Sequence, residues 1–149
     1  MGEPSLRERA LRHLARRDHS RAELTKKLAA HASADEIEAV IIRMGELGLQ
    51  SDARYAEAFV RSKAGRFGNA RLRLELGRRG IARELIEQAL ASECPAADIE
   101  RARAVLHSRF AAAPADARAW ARQARFLQTR GFAPELIRKL LKEPYDESA

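Results

Sequence analysis

The sequence predicts an all-α protein made of three tandem three-helix repeats. Ala, Leu, Arg and Glu dominate the 149 residues, and all four favour helices. No segment shows the alternation of Val, Ile and Thr that is typical of strands. Part of the sequence is also repeated at a fixed spacing, which is the pattern of a protein built from similar units.

The internal repeat is clearest when Gly80 is aligned with Gly131, an offset of 51 residues. Residues 71–90 and 122–141 then share nine identities in 20 positions. A weaker copy lies in the first third of the chain, at an offset of 48 residues. The period is longer than the roughly 33 residues of ankyrin repeats. We therefore expect three modules, which cover residues 1–49, 50–95 and 96–149.

In the first module, three Ser-x-x-Glu capping boxes predict three helix starts. They begin at Ser5, Ser20 and Ser33. Each is followed by apolar residues spaced so that they share one face of a helix. The three apolar stripes consist of Leu6, Ala10, Leu11 and Leu14; Leu24 and Leu28; and Ile37, Val40, Ile41 and Met44.

In the second module, Ser51 or Asp52 can cap the first helix. Residues 65–68 contain two glycines and predict a turn before the second helix. Gly80 is expected to end that second helix in the left-handed conformation, which glycine adopts without a Cβ clash. The apolar residues Leu85, Ile86, Ala89 and Leu90 then predict the third helix of the module.

In the third module, Gly131 matches Gly80 and predicts the same helix end. Pro134 follows at a position suited to the first turn of a helix. The alanine-rich stretch at residues 111–115 predicts a loop between the first two helices of this module. The module therefore repeats the pattern of the second one.

The sequence offers no pattern for catalysis, a metal or a cofactor. Its four histidines and Cys94 are scattered, without the spacing of metal ligands. No phosphate-binding loop of the form G-x-x-x-x-G-K-[ST] is present. We interpret Cys94 as a small apolar filler. The expectation is a protein that is not an enzyme, has no catalytic residue and holds neither metal nor cofactor.

The sequence also predicts a cytoplasmic protein that does not enter a membrane. The longest runs without a charged residue are six residues long, whereas a spanning helix needs about 20 apolar residues. The N-terminus is charged where a signal peptide would turn apolar. A single cysteine allows no internal disulfide, which suits a reducing compartment.

The positive charge is concentrated in one window. Between Arg61 and Arg83 there are eight basic residues and one acid, Glu75, so the window carries +7, equal to the net charge of the whole chain. A local excess of this kind is expected of a surface that binds a polyanion or an acidic partner.

A helical wheel of the window places Leu72 and Leu76 toward the core, with Arg71, Leu74 and Arg78 facing outward. Arg with an exposed apolar side chain favours a protein contact. Leu74 could instead pack on a neighbouring module, and the sequence does not decide between these alternatives. The candidate partner-binding or DNA-binding residues are Arg61, Lys63, Arg66, Arg71, Arg73, Leu74, Arg78, Arg79, Arg122 and Arg125.

These residues belong to motifs by which the chain resembles the RecX family of bacterial regulatory proteins nearly end to end. The resemblance is strongest in DARYAEAFVRSK at residues 52–63 and in GNARLRxELxRRGI at residues 68–81, where x marks Leu74 and Gly77, which are not part of the family pattern. RDHSRAELTKKL at residues 17–28 and RFLQTRGF at residues 125–132 are similar to two further family blocks. The chain departs from the family at residues 50–52, where two consecutive acids are common. That change affects only a helix cap, because Ser51 can serve as well.

The resemblance implies an elongated, curved body and a cytoplasmic, monomeric, non-enzymatic regulator. The implied partner is the RecA recombinase filament on single-stranded DNA, whose strand exchange and ATP hydrolysis such proteins usually inhibit, with roles in homologous recombination, DNA repair and the SOS response. Contact with the phosphates of single-stranded DNA is also implied, and a membrane is not.

Two other classes stay open. One is a helical DNA- or RNA-binding module that acts directly on nucleic acid, although Tyr55 and Phe59 look like core residues and leave few rings for base stacking. The other is a helical adaptor, which would not need the basic window.

Overall fold

The computed structural model describes residues 2–94 and 98–142. Within these ranges the chain forms nine α-helices and no strand, so the all-α prediction is confirmed. The helices are α1 (Leu6–Arg16), α2 (Arg21–Leu28), α3 (Ala34–Glu46), α4 (Asp52–Lys63), α5 (Asn69–Arg78), α6 (Arg83–Glu93), α7 (Asp98–Arg109), α8 (Ala117–Thr129) and α9 (Pro134–Leu141).

The three predicted helix starts of the first module are confirmed. The hydroxyls of Ser5, Ser20 and Ser33 each accept a hydrogen bond from the backbone N–H three residues further on. Ser20 forms the complete capping box, since its own N–H donates to the Glu23 carboxylate at 3.0 Å. Local hydrogen bonding of this kind satisfies N–H groups that have no partner inside the helix.

Of the two residues predicted to cap α4, Ser51 is the one that does so. Its hydroxyl accepts a hydrogen bond from the N–H of Arg54 at 3.1 Å. Asp52 has a different role. Its carboxylate accepts from the N–H of Arg21 at 2.7 Å, at the start of α2. A residue that the sequence offers as a cap for its own helix therefore caps another one.

The glycine predictions are also confirmed. Gly80 and Gly131 have φ angles of 80° and 90°, in the left-handed region. Gly48, after α3, has a φ of 74° and was not predicted to do so. A Cβ on Gly48 would meet no heavy atom within 4 Å, whereas a Cβ on Gly80 or Gly131 would collide with another helix.

The chain divides into two compact units that do not coincide with the modules. Unit one comprises the described residues of Met1–Phe59 and Leu76–Ala89, and unit two those of Val60–Glu75 and Leu90–Ala149. Helices α4, α5 and α6 each contribute residues to both units. The middle module therefore has no separate compact unit of its own.

Each unit contains a core of residues that are almost completely removed from water. In unit one the central cluster consists of Ala10, Leu24, Leu28, Ile37, Ile41 and Met44. In unit two it consists of Ala102, Val105, Leu106, Leu127, Phe132, Ile137 and Leu141. In unit one these residues belong to the apolar stripes that predicted α1, α2 and α3. Burying the two clusters is the main stabilising contribution.

Within unit one, the start of α2 meets the end of α5. The Ser20 hydroxyl donates to the carbonyl of Arg79 at 2.7 Å, and Gly80 lies directly against Ala22. We call this the first inter-module contact. It joins the second helices of the first and second modules.

Within unit two, the start of α5 meets the end of α8 in the same way. The N–H of Gly68 donates to the carbonyl of Arg130 at 2.7 Å, and Gly131 lies against the backbone of Arg71. This is the second inter-module contact. The two contacts are formed by equivalent positions of the repeat. Ser20 aligns with Gly68 at the offset of 48 residues, and Gly80 aligns with Gly131 at the offset of 51.

Candidate functional site: a basic surface on α5 and α8

The predicted binding residues are distributed over both units. Arg78 and Arg79 lie in unit one, and the others lie in unit two. They differ widely in exposure, because several of their guanidinium groups are used inside the fold.

Leu74 points to solvent. Leu72 and Leu76, two positions before and after it on α5, are completely buried, while Leu74 is 49% exposed. The structure thus favours exposure over packing on a neighbouring module. Ile42, Leu47 and Leu49 are exposed to a similar degree, so exposure alone does not mark a contact surface. Leu74 differs from them in lying beside the exposed Arg73 on the basic helix α5.

Arg71 is not outward, and the expectation from the helical wheel is wrong for this residue. Its side chain is 34% exposed, and its guanidinium lies 4.7 Å from the centre of the Phe67 ring. The same group donates to the carbonyl of Thr129 at 3.0 Å. A wheel describes one isolated helix, and here the end of α8 comes against the first turn of α5 and takes up the side chain.

Arg79 and Arg61 are also engaged. The guanidinium of Arg79 lies 4.7 Å from the centre of the Phe59 ring, so a cation–π contact holds this half-buried side chain in unit one. Arg61 is exposed and forms an ion pair with Glu93 at 3.5 Å. Lys63 is half-buried. These residues could still reach a partner, but part of their hydrogen-bonding capacity is already used.

Six of the nine predicted cations are exposed. They are Arg61, which is paired with Glu93, and Arg66, Arg73, Arg78, Arg122 and Arg125. Two of these line a groove in unit two with a volume of about 450 Å³. We call it the arginine groove. Its lining residues are Arg109, Phe110, Arg122, Arg125, Phe126, Thr129 and Arg130.

The arginine groove is organised around Phe126. The ring of Phe110 packs edge-on against it at 5.5 Å, and the guanidiniums of Arg130 and Arg109 lie 4.8 Å and 6.0 Å from its centre. Arg122 and Arg125 then project from α8 without a carboxylate partner among the described residues. Guanidinium groups match the geometry of carboxylates and phosphates, so Arg122 and Arg125 are suited to bind such anions.

Sequence reasoning missed Arg101, which has a structural role beneath this surface. Its side chain is 10% exposed. It donates to Asp98 at 2.8 Å and also to the Asn69 side chain and to the carbonyls of Ala64 and Phe67. The Asp-x-x-Arg spacing on α7 could have indicated the pair with Asp98. The contacts with the α4–α5 turn had no signal, because they join positions more than 30 residues apart.

The described residues offer little for other chemistry. No group of three or more His, Cys, Asp or Glu side chains among them could hold a metal ion. Cys94 is unpaired, and burial raises the pKa of its thiol, which disfavours the reactive thiolate. In the described part of the chain, no helix is both long and apolar enough to cross a membrane.

Repeated three-helix modules with exposed arginines on α5 and α8 define a helical repeat protein with a basic surface. Comparison with known families identifies it further. Residues 7–44, 51–90 and 96–141 match the first, second and third three-helix domains of RecX, respectively. The chain belongs to the RecX family.

Several relatives match over most of their length. A regulatory protein RecX of Leptothrix cholodnii is 46% identical, and the match covers 93% of this chain and 88% of the relative. One from Chromohalobacter salexigens is 42% identical over 98% and 97% of the two chains. The crystal structure of RecX from Lactobacillus salivarius superimposes with a TM-score of 0.78 at 24% identity, covering 91% of both chains. That similarity establishes the fold.

Proposed function

We propose that the protein is a non-enzymatic regulator that binds the RecA recombinase filament on single-stranded DNA. It modulates the filament's strand exchange and ATP hydrolysis, usually by inhibition, and acts as a monomer in the cytoplasm. The observation that carries the proposal is the match of all three modules to RecX domains, with relatives that are named regulatory proteins. Family membership supports RecA as the partner.

The exposed residues of α5 support a protein partner. Leu74 offers a large apolar side chain to solvent, and Arg73 next to it is exposed. Interfaces are enriched in arginine and place apolar anchors where water is excluded on binding. A surface that bound only phosphates would have no use for Leu74.

The arginine groove supports an acidic contact. Its lining residues include four arginines and no acid. A carboxylate on a RecA subunit or a phosphate of the DNA inside the filament would satisfy Arg122 and Arg125. We assign these two arginines to the binding surface of unit two, together with Arg66, Arg73 and Leu74. Arg78 lies in unit one and is assigned as a separate contact. Arg61, Lys63, Arg71 and Arg79 are assigned a secondary part, because the fold already uses or partly buries them.

A second candidate function is direct binding to DNA or RNA, which the arginine groove also favours. The aromatic rings argue against it as the sole role. Guanidinium groups lie over Phe59, Phe67 and Phe126, and all three rings are partly buried, so their capacity to stack on a base is reduced. Proteins that bind single strands without a partner usually rely on such stacking.

Co-sedimentation separates the two functions. The protein is centrifuged with RecA filaments on single-stranded DNA and, at the same salt, with bare single-stranded DNA, while RecA-coupled ATP hydrolysis is followed in parallel. The proposal predicts tighter binding to filaments and a changed rate of hydrolysis. Equal binding to both samples with unchanged hydrolysis would support the second function. Affinity should then fall by about two decades between 50 and 200 mM salt if about five phosphates are neutralised.

A further inference from the structure

Unit one contains a second cluster of basic groups, distant in sequence from the surface described above. His13 and Arg16 lie in the last turn of α1, Arg17 and His19 follow in the connection, and Lys27 is on α2. Together they line a pocket of about 400 Å³, which we call the histidine pocket.

We propose that the histidine pocket binds a phosphoryl group and that protonation of His13 and His19 strengthens the binding. The proposal concerns a site on the first module and does not depend on RecA as a partner. It rests on the arrangement of the two rings, on the sign of the charges around them and on the size of the pocket.

The two imidazole rings lie close together, with their centres 5.7 Å apart and their planes inclined by 60°. His19 is only 3% exposed, and its Nδ1 lies 3.0 Å from the carbonyl of Arg17. Because a carbonyl can only accept, Nδ1 carries the proton in the neutral ring. Nε2 is then the basic atom of His19, which can take up a proton and donate it to an anion.

The charges around the rings select an anion over a metal ion. Two neighbouring histidines could suit a metal, but Arg16, Arg17 and Lys27 line the same pocket and would repel one. The nearby acid, Glu23, accepts from the Ser20 N–H at 3.0 Å and from Arg17 at 3.3 Å, so it offsets one of the three fixed charges. Asp18 is paired with Arg54 at 3.3 Å. The pocket therefore keeps a positive balance.

A phosphoryl group suits this pocket better than a single carboxylate. It offers three acceptor oxygens and close to two negative charges, which match two arginines, a lysine and two ring nitrogens. The volume of about 400 Å³ is many times the roughly 30 Å³ of one water molecule. The group can therefore enter while it is attached to a larger molecule.

The ionisation of the two histidines responds to a bound anion. Burial, followed by the charges of His19 and Lys27, holds the pKa of His13 below its usual value of 6.5. Burial and the charges of Arg17 and Lys27 do the same to the pKa of His19, against the opposing effects of its hydrogen bond to the Arg17 carbonyl and of Glu23. With both pKa values below 6.5, the neutral form of each ring predominates at pH 7 in the free protein.

An anion in the pocket stabilises the protonated rings and raises both pKa values. By linkage, binding then takes up protons, so affinity rises as the pH falls through the bound-state pKa values. It levels off once the pH is below the free-state pKa values. The dependence has the opposite sign to that of a metal site, which loses affinity as its histidines protonate.

The test follows the ring signals of all four histidines by NMR, between pH 8 and pH 5 at constant ionic strength. One series contains sulfate, whose charge does not change in this range, and the other contains a short oligothymidylate. We expect the pKa values of His13 and His19 to rise in the presence of anion. His31 and His107 are exposed and serve as internal controls. Sulfate affinity should increase by at least about fivefold from pH 7.5 to pH 5.5.

The double variant Arg16→Gln/Lys27→Gln removes two exposed charges of the pocket and should weaken binding by about tenfold or more. Arg7→Gln/Arg12→Gln, at two exposed positions of α1, removes the same number of charges and is the matched control. A response to sulfate without a response to the oligonucleotide indicates a free phosphate compound, and a response to the oligonucleotide, with or without one to sulfate, indicates a nucleic-acid backbone. If neither anion moves the His13 and His19 signals more than those of His31 and His107, or if affinity is independent of pH, the proposal is wrong.

Discussion

The two inter-module contacts join equivalent positions of the repeat with different atoms. In the first, the Ser20 hydroxyl bridges the start of α2 and the carbonyl of Arg79. In the second, Gly68 has no side chain, and its backbone N–H reaches the carbonyl of Arg130. A Cβ on Gly68 would lie 2.6 Å from the carbonyl oxygen of Gly131. The second contact is therefore closer, and it excludes any side chain at that position.

Some of the basic residues of unit two are used in its internal contacts. At the closer contact the side chain of Arg71 lies against Phe67 and donates to the carbonyl of Thr129. The side chain of Arg101 joins α7 to the α4–α5 turn by hydrogen bonds. Arginines that look alike in the sequence thus separate into those that hold unit two together and those left for a partner. Substitutions in the first group should therefore lower stability, and substitutions in the second should weaken binding alone.

Gly131→Val should have the largest effect on stability. A β-branched residue resists the left-handed conformation by about 1–2 kcal/mol, and the forced displacement of the Arg71 backbone adds a similar amount, for a loss of about 3 kcal/mol or more. Urea unfolding of the variant measures it. Gly48→Val is the matched control, because its φ is also positive but its surroundings are open. Equal losses at the two positions would mean that the second contact is not as close as described.

Arg101→Met should cost about 2–3 kcal/mol. It leaves Asp98, Asn69 and two backbone carbonyls without their donor in a mostly buried place. Arg103→Met, two residues further along α7 and exposed, should change the free energy of unfolding by less than about 0.5 kcal/mol. A small effect of Arg101→Met in the same urea titration would remove this residue from the group that holds unit two together.

Ser20→Ala should cost about 2 kcal/mol, of which one half is the lost helix cap and the other half the lost hydrogen bond to Arg79. Ser5→Ala removes a cap of the same kind, at 3.1 Å, from an exposed helix start. It should cost about 1 kcal/mol. Thermal unfolding of the two variants gives the difference, which measures the inter-module part alone. The absence of a difference would indicate that the Ser20 bond does not stabilise the first contact.

Charge reversal at Arg122 and Arg125 should have the smallest effect on stability, within about 0.5 kcal/mol, because both are exposed. Filament binding should nevertheless weaken by about tenfold or more, since two attractive contacts become repulsive. The double reversal Arg7→Glu/Arg12→Glu on α1 changes the net charge equally at exposed positions and is the control for long-range effects. Equal weakening of filament binding by both pairs would mean that only total charge matters.

The helices and their ends could be predicted from the sequence because their causes are local. Ser5, Ser20 and Ser33 act within one turn, and Gly80 and Gly131 owe their conformation to their own missing Cβ. The repeat also indicated which residues would occupy equivalent places. Local chemistry and periodicity were sufficient for this part of the fold.

The use of individual arginines could not be predicted, because it depends on residues far away in the chain. Arg71 meets a carbonyl 58 positions further on, and Asp52 caps a helix that begins 31 positions earlier. Leu74 shows the same limit. The sequence placed it on the outer side of α5, but only the packing of the other modules decides whether that side is covered.

The central claim is that the exposed side of α5, with Leu74 as its apolar anchor, binds the filament. The most direct test compares Leu74→Asp with Ile42→Asp, because the two side chains are almost equally exposed, at 49% for Leu74 and 46% for Ile42. Each variant is co-sedimented with RecA filaments and, at the same salt, with bare single-stranded DNA. We predict that Leu74→Asp weakens filament binding by about tenfold or more, as at an interface hot spot, and that Ile42→Asp does not. Bare-DNA binding should be the same in both variants. Normal filament binding by Leu74→Asp, or an equal loss in both variants, would contradict the claim.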